Sequence, residues 1–234
     1  MTRKLNGPVL DGGFTLDRVW YKDRPIQGDP DYIHFFEDFV GIAVDLTNDW
    51  TEIEDAGASI AIEGDTLGGR ILMSTGANDN EGTSIQGNEI FAVAAGRQIW
   101  FETKINLLDA TESEYCSGLT INFATNPEAI LTAADRIVFE KLDGVTDIQC
   151  ITEFSGVETR TDSQIDIVAA TDITLGFRVV GDSTVLFYVD RVLVATHTTN
   201  IVNDQNLCVA AFVLAGDAAG TTLAIDYLSV TMER

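Results

Sequence analysis

From His34 onward apolar and polar residues alternate with a period of two, and Gly, Asn or Asp breaks the pattern every eight to fifteen residues. Only β-strands send successive side chains to opposite faces, so the pattern argues for an all-β sandwich of half-buried antiparallel strands and against a helical fold. The clearest stretch is 173–180, where Ile173, Leu175, Phe177 and Val179 share one face and Thr174, Gly176 and Arg178 the other. Gly181, Asp182 and Ser183 then make a turn, 184–190 a second strand, and 192–196 a third after a tight turn at Asp190 and Arg191. Further strands are expected at 59–63, 70–74, 89–94, 98–107, 118–123, 136–141, 147–154, 207–214 and 221–232. In the last, Leu223, Ile225, Tyr227 and Ser229 fall on one side and Ala224, Asp226, Leu228 and Val230 on the other, which reads as a central strand covered on both faces. Helical turns are expected only at 127–135, with Asn126 capping a helix that starts at Pro127, and at 47–54.

The leading residues behave differently. Gly7, Pro8, Gly12, Gly13, Pro25, Gly28 and Pro30 interrupt every apolar piece, so 1–32 reads as an extended N-terminal arm and 33–234 as the sandwich domain. A chain of 234 residues suits one large all-β core, and no repeat of 20–50 residues points to a propeller or solenoid. Charge separates the two parts. The chain carries 37 acidic against 14 basic residues, a net −23 that disfavours nucleic acid as a partner. Residues 1–24 run the other way, with Arg3, Lys4, Arg18, Lys22 and Arg24 against Asp11, Asp17 and Asp23. Arg3, Lys4 and Arg18, with the aromatic anchors Phe14, Trp20 and Tyr21, are the candidate partner-binding residues of an arm that reaches a neighbour's acidic surface. No apolar run of export or membrane-spanning type is seen, so a soluble protein made in the cytoplasm, without a membrane partner, is expected. Cys116, Cys150 and Cys208 form no Cys-x-x-Cys pair and are expected as buried thiols.

Catalytic patterns are incomplete. The two histidines, His34 and His197, lie in separate strand-like stretches with no second ligand at metal spacing. The segment from Gly82 to Gly87 around Ser84 has one residue too many for a nucleophile elbow. A sandwich-glycosidase pattern, Glu-x-Asp-x-x-Glu, opens at Glu63 and Asp65, but Leu67 and Gly68 stand where the partner glutamate belongs. The other dense carboxylate group, Glu52, Glu54 and Asp55, sits in a turn-like stretch. The chain is therefore expected to be no enzyme and to carry no cofactor. A structural calcium is considered at the loop around Asn78, with Asp79 and Glu81 as candidate ligands; an EF-hand register there fails at Ala77 and Asn88. Trp20, Trp50 and Trp100 are considered as sugar-stacking residues, with core burial expected for Trp100.

Phe187, Tyr188, Val189, Asp190, Arg191, Val192, Leu193 and Val194 form a hairpin sequence, and 221–234 ends in a strand around Ile225, Asp226 and Tyr227. Together with Phe35, Phe36, Phe39 and Gly41 upstream, these resemble the concanavalin A-like (laminin G-like) jelly-roll sandwiches of tailed-phage virion proteins, including capsid decoration or cement proteins and head-fibre proteins. The resemblance spans roughly 33–234 and departs at the hairpin turn, where Arg191 replaces the usual Gly. It implies a non-catalytic homo-oligomer on the capsid surface of the virion, which binds the major capsid protein and stabilises the head. The competing expectations are a lectin-like carbohydrate- or receptor-binding virion module that recognises a surface glycan and, behind it, a glycoside hydrolase.

Overall fold

Among the described residues, alternation becomes pairing in sixteen antiparallel strands. The computed structural model describes residues 30–40, 44, 49–64, 69–123 and 126–234; the arm residues Arg3, Lys4, Phe14, Arg18, Trp20 and Tyr21, as well as Asp65, lie outside them. In chain order the strands are β1 (Tyr32–Glu37), β2 (Thr51–Glu54), β3 (Ser59–Ile62), β4 (Ile71–Ser74), β5 (Gly82–Gln86), β6 (Phe91–Ala92), β7 (Gln98–Leu107) and β8 (Ser113–Thr120). They continue with β9 (Arg136–Lys141), β10 (Asp147–Phe154), β11 (Val157–Asp166), β12 (Asp172–Val180), β13 (Thr184–Val189), β14 (Val192–His197), β15 (Asn206–Ala215) and β16 (Thr222–Glu233).

Sheet I runs β14-β13-β12-β7-β16-β4-β3, with β1 also on β16, and sheet II runs β11-β10-β9-β8-β15-β5-β2, with β6 also on β15. The core lies between them. Phe101 and Phe177 of sheet I stack at 4.8 Å, and Phe139 of sheet II meets Phe187 edge-on at 5.3 Å. Ile173, Leu175, Phe177 and Val179 all enter this core, as their spacing requires. Cys116, Cys150 and Cys208 are free and buried.

Four expectations are corrected. Of the helical turn expected at 47–54, residues 51–54 are strand β2, because Glu52 and Glu54 pair in register with Ile85 and Thr83 of β5, while 47 and 48 lie outside the described residues. The strand expected at 118–123 is β8, displaced to Ser113–Thr120. β16 is central, but its two apolar faces have another origin: a bulge between Ile225 and Tyr227 shifts the register. One extra residue moves every later side chain to the opposite face. Leu223 and Ile225 before the bulge, and Leu228, Val230 and Met232 after it, therefore all enter one core. The helical segment expected at 127–135 is a 3-10 helix, Pro127–Thr132, and Asn126 makes no side-chain cap to it.

The hairpin departure is resolved in favour of strain. β13 and β14 join through a two-residue loop with φ of 46° at Asp190 and 68° at Arg191, so both non-glycine residues occupy the left-handed region that a primed turn demands. Asp190 secures the turn by donating its N–H to the Thr174 carbonyl at 2.7 Å and accepting the Thr174 N–H at 2.9 Å.

The registers also define two poles. Leu107 pairs with Leu223, Asn106 with Asp172, Val189 with Val192, Tyr115 with Lys141, Asp147 with Asp166, and Leu214 with Gly82. One pole thus carries loops 55–58, 75–81, 108–112, 142–146, 166–171, 190–191 and 216–221. Tyr32, paired with Glu233, stands at the other.

Candidate functional site

The densest chemistry lies on the outer face of sheet II. Arg136, on β9, donates to Glu140 at 2.8 Å, to Glu153 of β10 at 2.7 Å and to Glu158 of β11 at 2.9 Å. Arg160 closes the ring, at 2.7 Å from Glu140 and 2.8 Å from Glu158. Antiparallel pairing brings these residues together: Arg136 is opposite Glu153, and Glu153 opposite Glu158. Burial works against the charge on Glu158, but Arg160 and Arg136 outweigh it and hold its carboxyl below the usual range. Arg136 also donates to the Ile130 carbonyl, tying the 3-10 helix to the sheet. Around that helix Cys116, Phe123, Ile130, Val138, Ile151 and Phe212 form a second apolar cluster on the outer face.

This arrangement suits structure better than hydrolysis. A glycosidase needs one carboxyl protonated near neutral pH and a second about 5–9.5 Å away. The carboxylates of the ring are locked to guanidinium groups. Glu52 of β2 is pushed up to about 7, by burial first and then by its neighbour Glu54 on the same strand. Asp55 accepts the Gly82 N–H at 2.9 Å. Glu63 lies 4.0 Å from Arg70. Ser84 belongs to buried strand β5 and not to an elbow.

The sequence-derived binding residues are dispersed. Glu81 folds back on its own loop, accepting from the Asn78 side chain at 2.6 Å, while Asp79 points into solvent. No cluster of three or more His, Cys, Asp or Glu side chains is arranged for a metal ion among the described residues. His34 approaches Thr231 at 3.3 Å, and His197 is buried between Thr152 and Thr161, each at 3.0 Å. Trp50 is a core residue, edge-on to Phe35 at 5.5 Å. Trp100 is buried too, but on the outer face of sheet I, beneath the Arg178 guanidinium at 5.6 Å and against Tyr32 at 6.4 Å. Its burial was legible in the apolar strand; the face was not.

One depression of about 340 Å³ was missed in the sequence. Phe35 and Glu37 of β1, Asp49, Asn88, Ile90 and Phe91, and Val209 of β15 line it. Its apolar floor and three polar side chains come from four separate segments, so no local motif announces it.

Two sheets of eight antiparallel strands with this aromatic core define a concanavalin A-like jelly-roll sandwich. Among solved structures the chain is similar to a protein of unknown function from Shewanella oneidensis, with TM-score 0.63 and 11% identity over 86% of this chain and 87% of that one. It is similar also to a mixed-linkage glucan GH16 protein of Bacteroides ovatus in complex with its product (0.58, 12%, 84% and 99%) and to peanut lectin (0.60, 6%, 86% and 97%). These likenesses define the fold, which lectins and glycoside hydrolases share. No protein-family model and no curated protein matches the sequence.

Proposed function

We propose that this chain is a non-catalytic binding protein, and that its role is to decorate a phage capsid, binding the major capsid protein and stabilising the head. The observation that carries the non-catalytic reading is the Arg136 ring, in which Glu140, Glu153 and Glu158 are neutralised by hydrogen-bonded guanidinium groups. The decoration reading draws on the hairpin at 187–194 and the strand at 221–234, whose likeness is to virion sandwiches. Co-sedimentation with tailed-phage heads lacking their decoration protein tests it: binding that raises the temperature of head disruption supports it, and a chain left in the supernatant at low salt overturns it.

A second reading is lectin-like. The depression beside β1 and β6 sets Asp49, Glu37 and Asn88, which can hydrogen-bond sugar hydroxyls, over an apolar floor of Phe35 and Phe91. A glycan array with wild-type protein and Asp49→Ala tests it; signal lost in the variant favours it, and no signal in either opposes it.

A further inference from the structure

We propose that the pole formed by loops 108–112, 142–146, 166–171 and 190–191 docks residues 1–24 of a second copy of this chain. The inference rests on the decoration reading insofar as it takes the protein to act as an assembly. Of the eleven exposed large apolar side chains among the described residues, seven stand in or beside these loops: Leu108, Leu142, Val145, Ile165, Val168, Val192 and Leu193, each between 38% and 65% exposed. Clustered apolar exposure of this kind marks an interaction surface more than scattered single residues do.

The surface is also preorganised. Gly144 donates to the Thr111 carbonyl at 3.0 Å, Ala170 to Leu107 at 2.8 Å, Ile167 to Thr146 at 2.8 Å and Gly216 to Glu112 at 3.1 Å, so neighbouring loops are laced together by main chain. Beneath them Lys141 is fully buried and donates to the carbonyls of Thr111 and Ser113. Little loop freedom remains to be lost on binding.

Charge selects the occupant. The loops of this pole, with 55–58, 75–81 and 216–221, hold nine carboxylates and one base, Arg191. The acidic body of another copy is repelled by such a field, whereas residues 1–24 supply five basic against three acidic side chains, together with Phe14, Trp20 and Tyr21 for the apolar tips. The chain enters the body at Tyr32, at the opposite pole, and ten-residue β7 alone spans about 33 Å between the two. Arm and pole are different surfaces, so two copies either exchange arms reciprocally or link in succession into a ring or a string.

Light scattering on the full chain is expected to show a multimer that dissociates in salt, and deletion of residues 1–24 to leave a monomer. A synthetic peptide of residues 1–24 is expected to bind the truncated body, and the triple substitution Leu108→Ser, Val168→Ser, Val192→Ser to weaken that binding at least tenfold. Phe36→Ser and Val157→Ser, exposed sites away from this pole, are expected to leave it unchanged. The same number of copies per particle for full and truncated chains, or equal peptide affinity for body and triple variant, overturns the proposal. None of these readouts involves a capsid, so failure to bind shells leaves them intact and counts against the decoration reading alone.

Discussion

The Arg136 guanidinium and the Glu140 carboxylate meet at 2.8 Å on the outer face of sheet II, with neither side chain more than 3% exposed. Removing Arg136 leaves buried Glu140 with Arg160 alone and takes the guanidinium from Glu153, at a cost of about 3–5 kcal/mol. Arg136→Met is expected to lower stability by that amount in urea titrations, whereas Arg160→Met, at a side chain 32% exposed, is expected to cost about 1 kcal/mol or less. Equal effects would place the weight of the network elsewhere.

At the β13–β14 turn, Arg191 holds φ at 68°. Glycine removes the steric penalty of the left-handed region, about 1–2 kcal/mol for an ordinary residue, while the partly exposed contact with Glu102 at 3.8 Å is lost. Arg191→Gly is expected to raise stability by about 0.5–1 kcal/mol, and Arg191→Val to lower it. Thermal unfolding of the two variants distinguishes relief of strain from loss of the ion pair.

Gly118 sits inside β8 with φ of 152°, and a Cβ there would lie 2.3 Å from the Ile137 carbonyl oxygen and 2.8 Å from the Val138 Cα. Both obstacles are backbone of the adjacent strand. Gly118→Ala is expected to destabilise the protein by about 1–3 kcal/mol through overpacking, read as a lower urea midpoint with unchanged slope.

Burial lowers the pKa of His197 below the ordinary imidazole value of 6.5, so the folded protein resists a proton that the unfolded chain accepts. Above that value both states are neutral and nothing is lost. As pH falls through about 6.5 the unfolded chain binds the proton first, and stability declines until the folded pKa is reached. His197→Gln, which retains hydrogen-bonding atoms but cannot charge, is expected to flatten this part of the stability profile between pH 7.5 and 5. An unchanged slope would assign the decline to other groups.

What the sequence made legible follows from how each strand is covered. β12 has one face in the core and one outside, so its alternation survives in Ile173, Leu175, Phe177 and Val179. β11, from Val157 to Asp166, is an edge strand paired only with β10, and of its side chains only Ser163 is buried, so no apolar face marks it. β5 is wholly buried yet mostly polar, with Thr83, Ser84 and Gln86 around Ile85; pairing with both β2 and β15 defines it, and that pairing is invisible locally. The Arg136 ring escaped notice for the same reason, since its residues come from three strands and meet only through register. The charge reversal of 1–24 is a property of the sequence, and the candidate arm residues lie outside the described residues.

The central claim is binding without catalysis, and co-sedimentation of the full chain with undecorated tailed-phage heads across a salt series tests it most directly, with the supernatants assayed for sugar release. Saturable pelleting that weakens as salt rises, without sugar release, is the expected result. A chain that ignores the heads at every salt concentration and releases sugar from a glycan would contradict the account.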